Sequence, residues 1–206
     1  MEGWFSPEGP VFDLLDKIGQ MIILSIFWII GCLPVITVVP ATAALYYAVM
    51  KALRRERGRA AGEFWQSYRR NLKRGIPMSL LLVLPGGMMC LNLLRVGEGG
   101  STSNLLLLAL LAMTAVYVPP VLSRFDMGIG KVLKLSFVMA LRFLPITFLI
   151  LAAAVLLGYA QVFLLPMPTV LLLPSLVCLG VTYLMEKALR KFMPEKKPGD
   201  DAWYYE

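Results

Sequence analysis

Long apolar runs divided by proline constrain the fold of this chain more than any other feature. Residues 18–50 contain no charged side chain, and Pro34 and Pro40 lie within this run. A membrane-spanning helix takes about 20 residues, so these 33 residues are too many for one crossing and few for two. With its flanks, the segment 12–57 accommodates two short helices and a turn. We therefore predict a first helical hairpin over residues 12–57.

Pro34, Pro40 and Thr42 are the residues expected to shape the turn of this hairpin. Proline has no backbone N–H and clashes with the preceding helical turn. In lipid every backbone polar group needs a partner. The bend is therefore predicted to be a turn between two membrane helices or a re-entrant segment buried among its neighbours. The Thr42 hydroxyl is expected to cap the second helix by accepting a hydrogen bond from a free amide.

The composition places the chain among integral membrane proteins. Of its 206 residues, 58% are hydrophobic and 16% are charged, whereas about a quarter of a soluble domain is charged. We predict a single integral membrane domain over residues 1–206, in contact with the lipid bilayer. The sequence has no histidine, and its three cysteines match no metal-binding spacing. No metal and no other cofactor is therefore predicted.

Basic residues are concentrated directly after the first hairpin. Residues 51–74 contain nine Lys or Arg and two Glu, and membrane proteins retain basic residues on the cytoplasmic side. This bias accounts for the net charge of +7 without nucleic-acid binding. Within the stretch, residues 58–74 carry aromatic and basic side chains at helical spacing, which predicts an amphipathic helix at the membrane surface. Its expected contacts with lipid or a cytoplasmic partner are Trp65, Tyr68, Arg69, Arg70 and Lys73.

A second hairpin and a second amphipathic helix are predicted next. Residues 76–123 hold two apolar runs, and Pro85-Gly86-Gly87 in the first of them predicts a kink. Residues 124–142 are again basic and have an apolar stripe, so they are expected to lie on the cytoplasmic surface. The contact residues expected in this segment are Lys131, Lys134 and Arg142.

The last apolar run predicts a third hairpin over residues 143–190. Its first 43 residues, 143–185, contain no charge and are divided by Pro166 and Pro168. Both halves are long enough to approach a full crossing. The basic residues that follow place the tail, residues 191–206, in the cytoplasm.

Two copies of a short motif agree with this layout. The motif Tyr47-x-x-x-Lys51-Ala52-Leu53-Arg54-Arg55 resembles Tyr183-x-x-x-Lys187-Ala188-Leu189-Arg190-Lys191. The second and sixth predicted helices are therefore expected to end on the same side of the membrane. The predicted fold is all-α: a polytopic helical membrane protein of about six transmembrane helices, arranged as three hairpins joined by cytoplasmic amphipathic helices, with both termini cytoplasmic. The alternative is five spans with the N-terminus outside.

Nothing in the sequence points to catalysis. The predicted spans carry no Asp, Glu, Lys or Arg away from their ends, and the chain has no phosphate-binding glycine loop. A proton-coupled transporter or intramembrane enzyme normally needs an ionisable group at depth. We therefore predict that the protein is not an enzyme.

Several motifs resemble a known family. They are Cys32-Leu33-Pro34-Val35-Ile36-Thr37, Pro40-Ala41-Thr42-Ala43-Ala44-Leu45-Tyr46-Tyr47, Phe64-Trp65-x-Ser67-Tyr68 and Arg124-Phe125-Asp126. With Gly3-Trp4-Phe5 at the start, the chain resembles the YesL-like family of bacterial membrane proteins of unknown function. The resemblance implies a multi-span protein of the bacterial cytoplasmic membrane, often encoded near carbohydrate ABC importers. It implies no established activity and no catalytic residues.

Two functions follow as hypotheses. The first is a non-enzymatic accessory or assembly partner of a carbohydrate ABC uptake system, which contacts permease or ATPase subunits through residues 64–74 and 131–142. The alternative is a small-solute transporter or channel in its own right, with a polar cavity at the proline-broken segments 34–40 and 85–87. Homo-oligomerisation stays open in both cases.

Overall fold

The computed structural model describes residues 10–95, 102–163, 169 and 171–189, in which helices are joined by short turns and irregular segments. In chain order the helices are α1 (Pro10–Cys32), α2 (Val38–Ala48), α3 (Ala60–Arg95), α4 (Thr102–Arg124), α5 (Ile129–Arg142), α6 (Leu144–Phe163) and α7 (Leu173–Leu189). No strand occurs among the described residues. The predicted all-α class is confirmed.

Five helical segments of the described chain are long and apolar enough to cross a membrane. They are Val11–Cys32, Val35–Arg54, Ala60–Asn92, Thr102–Arg124 and Leu144–Gln161. α7 adds a shorter apolar segment, Leu173–Glu186. The prediction of about six crossings thus corresponds to five long segments and one shorter one. The turn expected at Pro166 and Pro168 and the tail 191–206 lie outside the described residues.

Helix α2 lies at the centre of the bundle. In the most apolar stretch of Val35–Arg54, 72% of the residues are buried, compared with 11% in Val11–Cys32. Helices α1, α3, α4 and α7 pack around α2. Its fully buried residues include four alanines, Ala41, Ala43, Ala44 and Ala48. Small side chains of this kind let membrane helices approach closely, which explains why α2 can be surrounded.

The outer faces of the surrounding helices are apolar. Large hydrophobic side chains are exposed on α3, α4 and α6, among them Leu84, Leu106 and Val155. Exposed apolar surface of this extent is unusual in soluble proteins and is typical of helices that face lipid. The predicted contact with the bilayer agrees with this surface.

The helical run is broken between α1 and α2, and backbone groups at this bend find partners. α1 ends at Cys32, a short 3₁₀ turn covers Val35–Thr37, and α2 begins at Val38. The N–H of Val39 in the first turn of α2 donates to the Ser79 hydroxyl of α3 at 3.1 Å. Pro40, one residue later, has no N–H to satisfy. Helix α3 thus supplies the partner that a helix end in lipid requires.

The prediction that Thr42 caps α2 is wrong. Thr42 lies within the helix, where its hydroxyl donates to the Val38 carbonyl oxygen at 2.7 Å and accepts from the indole N–H of Trp28 at 3.2 Å. The helix begins earlier than expected because Pro40 occupies its first turn. There the amides lack intrahelical partners in any case, so a missing N–H costs little.

Helix α3 is continuous where two elements were expected. The predicted surface helix 58–74 and the first span after residue 76 form one 36-residue helix, Ala60–Arg95, which also runs through residues 85–87 without interruption. At 1.5 Å per residue this helix is about 54 Å long, which exceeds the hydrocarbon thickness of about 30 Å. Its basic N-terminal part therefore extends beyond its apolar part. The sequence changes from basic to apolar near residue 75, but the helix does not end there.

Candidate functional site

Charged residues from the four helices α1, α3, α4 and α7 and from the segment that follows α2 meet at one end of the bundle, which we call the basic end. Three ion pairs define it: Lys17 with Glu56 at 2.6 Å, Lys51 with Glu63 at 2.8 Å, and Arg54 with Glu186 at 2.7 Å. Arg124, at the end of α4, and Arg74, in α3, lie at the same end. The guanidinium of Arg54 also lies over the ring of Tyr183, 4.3 Å from its centroid. The ends of α2 and α7 are therefore adjacent, which is compatible with the prediction that both helices end on the same side of the membrane.

A buried carboxylate is shared by three arginines at this end. Glu186 of α7 accepts a hydrogen bond from Arg54 at 2.7 Å and lies 3.5 Å from a nitrogen of Arg55. Arg124 of α4 lies 3.6 Å from the same carboxylate. The side chains of Glu186 and Arg124 are only 4% and 2% exposed. This group, the Glu186 cluster, joins the ends of α2, α4 and α7 and holds more positive than negative charge.

Arg124 is the member of the Glu186 cluster whose guanidinium group is least well hydrogen-bonded. None of its three guanidinium nitrogens has a hydrogen-bond partner among the described residues, although all three are buried. Its guanidinium faces the ring of Tyr46, 5.9 Å from the centroid, and the buried Tyr46 hydroxyl likewise has no partner in the described chain. Burying a charge without hydrogen bonds is costly. The position of Arg124 therefore calls for a physical explanation beyond membrane orientation.

A polar cavity of about 390 Å³ lies beside this cluster, between α3 and the end of α4. Arg70, Arg74 and Arg124 line it, and Asp126 is the one carboxylate among its lining residues. Arg74 is hydrogen-bonded to Asp126, and Arg70 donates to the Ser123 carbonyl oxygen at 3.4 Å. The cavity is therefore positively charged.

The predicted contact residues of α3 separate into two groups. Trp65, Arg69 and Lys73 are exposed at a spacing of four residues and form one stripe, with Arg69 over the Trp65 ring at 5.1 Å. Residues four apart lie on the same helix face. Arg70 instead lines the polar cavity, and Tyr68 is half-buried against the rings of Phe64 and Trp65. We call Trp65, Arg69 and Lys73 the exposed stripe.

The predicted contact residues of the second basic segment lie on α5. Lys131, Lys134 and Arg142 are all exposed, while Val132 and Met139 of the same helix are buried. Helix α5 packs against α4 and α6. The amphipathic helix expected over 124–142 is thus present as Ile129–Arg142.

A second cavity, of about 480 Å³, lies between α1, α2, α4, α6 and α7. Its walls are almost entirely apolar, with Trp28, Thr42, Tyr46 and Gln161 as the residues that carry polar groups. The transporter hypothesis placed a polar cavity at residues 34–40 and 85–87, which do not line this one. At residues 34–40 the difference arises from packing and hydrogen bonding: Pro40 packs on Gly75, and the Val39 N–H donates to the Ser79 hydroxyl. Residues 85–87 instead continue helix α3, where Gly87 is exposed.

The Glu186 cluster was missed by sequence reasoning. The sequence pattern assigns Arg54, Arg55 and Arg124 to basic stretches on the cytoplasmic side, and Glu186 falls near the end of the third predicted hairpin without a role of its own. Two signals could have identified the cluster. Glu186 follows 43 uncharged residues directly, and the repeated motif places the end of α7 on the same side of the membrane as Arg54. Among the described residues, no group of His, Cys, Asp or Glu could hold a metal ion.

The fold and the basic end together define a multi-span, α-helical membrane protein. Residues 21–93 match the family described as "Protein of unknown function, DUF624". This match covers the second half of α1, the bend, the buried helix α2 and nearly all of α3. No curated protein and no solved structure matches the chain. The closer similarity to YesL-like proteins stays a prediction.

Proposed function

We propose that the chain is a non-enzymatic YesL-like member of the DUF624 family and an accessory or assembly partner of a carbohydrate ABC uptake system. The family match over residues 21–93 and the motif resemblance support the membership. The genomic neighbourhood implied by the resemblance supports the link to importers. The protein would lie in the bacterial cytoplasmic membrane with the basic end in the cytoplasm, because basic residues are retained on that side.

The observation that carries this proposal is the exposed stripe on α3. Trp65 is 48% exposed although it is a large aromatic residue, and Arg69 stacks on it. Trp, Tyr and Arg are the residues that most often dominate binding energy at protein interfaces. The stripe lies on the part of α3 that extends beyond the apolar segment, where a permease loop or an ATPase subunit can reach it. Lys131 and Lys134 on α5 provide a second exposed basic surface.

A pull-down from native membranes tests the proposal. The tagged protein is purified in mild detergent, and importer permease and ATPase subunits are quantified by mass spectrometry. The wild type is expected to retain them in near-equal amounts, whereas Arg69→Glu/Lys73→Glu loses them. Lys131→Glu/Lys134→Glu is the matched variant, since it reverses two charges on the other surface. Unchanged recovery with both variants removes both surfaces from the proposal, and recovery of the wild-type protein alone contradicts it.

A small-solute transporter is the second candidate, and the cavity of about 480 Å³ favours it. Because the cavity is apolar, it suits a hydrophobic or amphiphilic solute better than a free sugar. Proteoliposomes are expected to show solute flux above empty vesicles, and Ala154→Trp, which fills the cavity wall, should reduce it. No flux with either apolar solutes or a broad sugar panel counts against this function.

A further inference from the structure

The polar cavity between α3 and α4 has the charge of an anion-binding site. Three of its lining residues are arginines and one is an aspartate. Asp126 is hydrogen-bonded to Arg74 and is largely exposed to solvent. Asp126 is the one carboxylate that lines the cavity among the described residues. Its volume of about 390 Å³ lies within the range of small-molecule sites, which is about 300–1,000 Å³.

The buried guanidinium group of Arg124, in the wall of this cavity, has too few hydrogen-bond acceptors among the described residues. Its side chain is 2% exposed, and the nearest carboxylate, Glu186, lies 3.6 Å away and already accepts a hydrogen bond from Arg54. A guanidinium has five N–H donors in a fixed planar arrangement. Leaving buried donors unpaired costs free energy. An oxyanion with several acceptor oxygens is the chemical group that such donors bind best.

Helix α3 presents two further guanidinium groups to the same space. Arg70 and Arg74 are four residues apart, so they lie on one helix face, and both line the cavity. The ring of Tyr47 supports Arg70, whose guanidinium lies 5.4 Å from the ring centroid. Asn71, between them in sequence, is buried in the cavity wall. Arg70 and Arg74 of α3 and Arg124 of α4 thus line one cavity.

We propose that this cavity binds a phosphate-bearing anion through Arg70 and Arg74, with the buried Arg124 adding positive charge to its wall. The cavity lies at the basic end of a membrane helix bundle, where the headgroups of anionic phospholipids also lie. Basic pockets between membrane helices are known to bind such headgroups. A phospholipid headgroup and a free phosphate share the chemistry that these arginines recognise, and the two sources are separated by experiment. The site is independent of the exposed stripe, which lies on another face of α3.

Native mass spectrometry of the delipidated full chain in detergent tests the site. The probes are phosphatidylglycerol, phosphatidylcholine and inorganic phosphate. The wild type is expected to retain phosphatidylglycerol but not phosphatidylcholine. Arg70→Gln/Arg74→Gln should weaken retention by about tenfold or more, since each basic residue near an anionic headgroup contributes about 1 kcal/mol. Arg69→Gln/Lys73→Gln is the matched control: it removes two charges from the same helix outside the cavity and should leave binding unchanged.

The outcomes show whether the anion is a phospholipid headgroup or a free phosphate, and they also show when the proposal fails. Phosphatidylglycerol bound at one copy assigns the site to lipid, and binding of inorganic phosphate alone, abolished by Arg70→Gln/Arg74→Gln, assigns it to a free phosphate. Neither probe binding overturns the proposal. Equal losses in the two double variants also overturn it, because they indicate diffuse surface charge. Arg70→Gln alone changes an exposed side chain and provides a second variant if the double variant does not fold. A loss of importer subunits in the pull-down would leave this result unaffected.

Discussion

Replacing Glu186 with glutamine is expected to destabilise the protein more than any other single charge removal at the basic end. The substitution keeps the size of the side chain but removes its negative charge. Arg54, Arg55 and Arg124, whose side chains are 21%, 18% and 2% exposed, would then lie together without a counter-charge. The amide of the new side chain would also direct N–H donors toward guanidinium donors.

The distances give the size of the expected effect. The three arginine nitrogens lie 2.7, 3.5 and 3.6 Å from the carboxylate oxygens. At an effective dielectric constant of about 20, the Coulomb attraction in each pair amounts to about 5 kcal/mol. Desolvation of the charges cancels most of this attraction. Removing one partner of a buried pair typically costs about 3–5 kcal/mol, and we expect Glu186→Gln to fall in this range.

Denaturant unfolding in detergent micelles measures this cost. Glu56→Gln is the matched control, since Glu56 also pairs with a basic residue, Lys17, at 2.6 Å but is 68% exposed. The Lys17 ammonium lowers the pKa of Glu56 by hydrogen bonding and charge, yet exposed pairs contribute little to stability. We expect no measurable shift for Glu56→Gln. Equal unfolding midpoints for Glu186→Gln, Glu56→Gln and the wild type would refute the reasoning that the cluster stabilises the bundle.

Two further predictions concern the contact between the bend and α3. Gly75→Ala should destabilise by about 1–3 kcal/mol, because a Cβ at this position would lie 2.7 Å from the rigid ring of Pro40. Gly62→Ala on the same helix meets open space and should be neutral or stabilising by up to about 1 kcal/mol; indistinguishable unfolding midpoints for the two variants would contradict the packing argument. Ser79→Ala removes the acceptor of the Val39 N–H and should cost about 1–3 kcal/mol. Hydrogen exchange at the Val39 amide should become faster in that variant, and unchanged exchange would show that the bond does not protect it.

The bend and the helical class could be predicted because their causes are local. A proline removes its own N–H wherever it lies, so Pro34 and Pro40 mark a bend without reference to the rest of the chain. An uncharged apolar run of about 20 residues likewise has few alternatives to a membrane helix. The continuity of α3 was not predictable in this way. Residues 60–95 change from basic to apolar, and a change in polarity indicates where the membrane begins and not where a helix ends.

The Glu186 cluster was not predicted because its partners are distant in sequence. Arg54 and Glu186 are separated by 132 residues, and their contact depends on α2 and α7 being neighbours. The positive-inside rule interprets each arginine by its membrane side alone. It therefore described Arg70 and Arg69 identically, although one lines the polar cavity and the other belongs to the exposed stripe. Only the packing of α3 against its neighbours separates them.

Burial shows that the arginines of the basic end do more than orient the protein. Orientation requires only that Lys and Arg lie near the membrane surface, and solvated side chains meet that requirement. The side chain of Arg124 is almost completely buried, and burying a charge costs several kcal/mol, so orientation alone does not explain its position. Its ion pair with Glu186 gives it a structural role, and it adds positive charge to the wall of the adjacent cavity. Arg69 and Lys73 are exposed and belong neither to the Glu186 cluster nor to the lining of the polar cavity. Removing a charge from the Glu186 cluster should therefore reduce stability. Removing a charge from the exposed stripe should affect only partner binding.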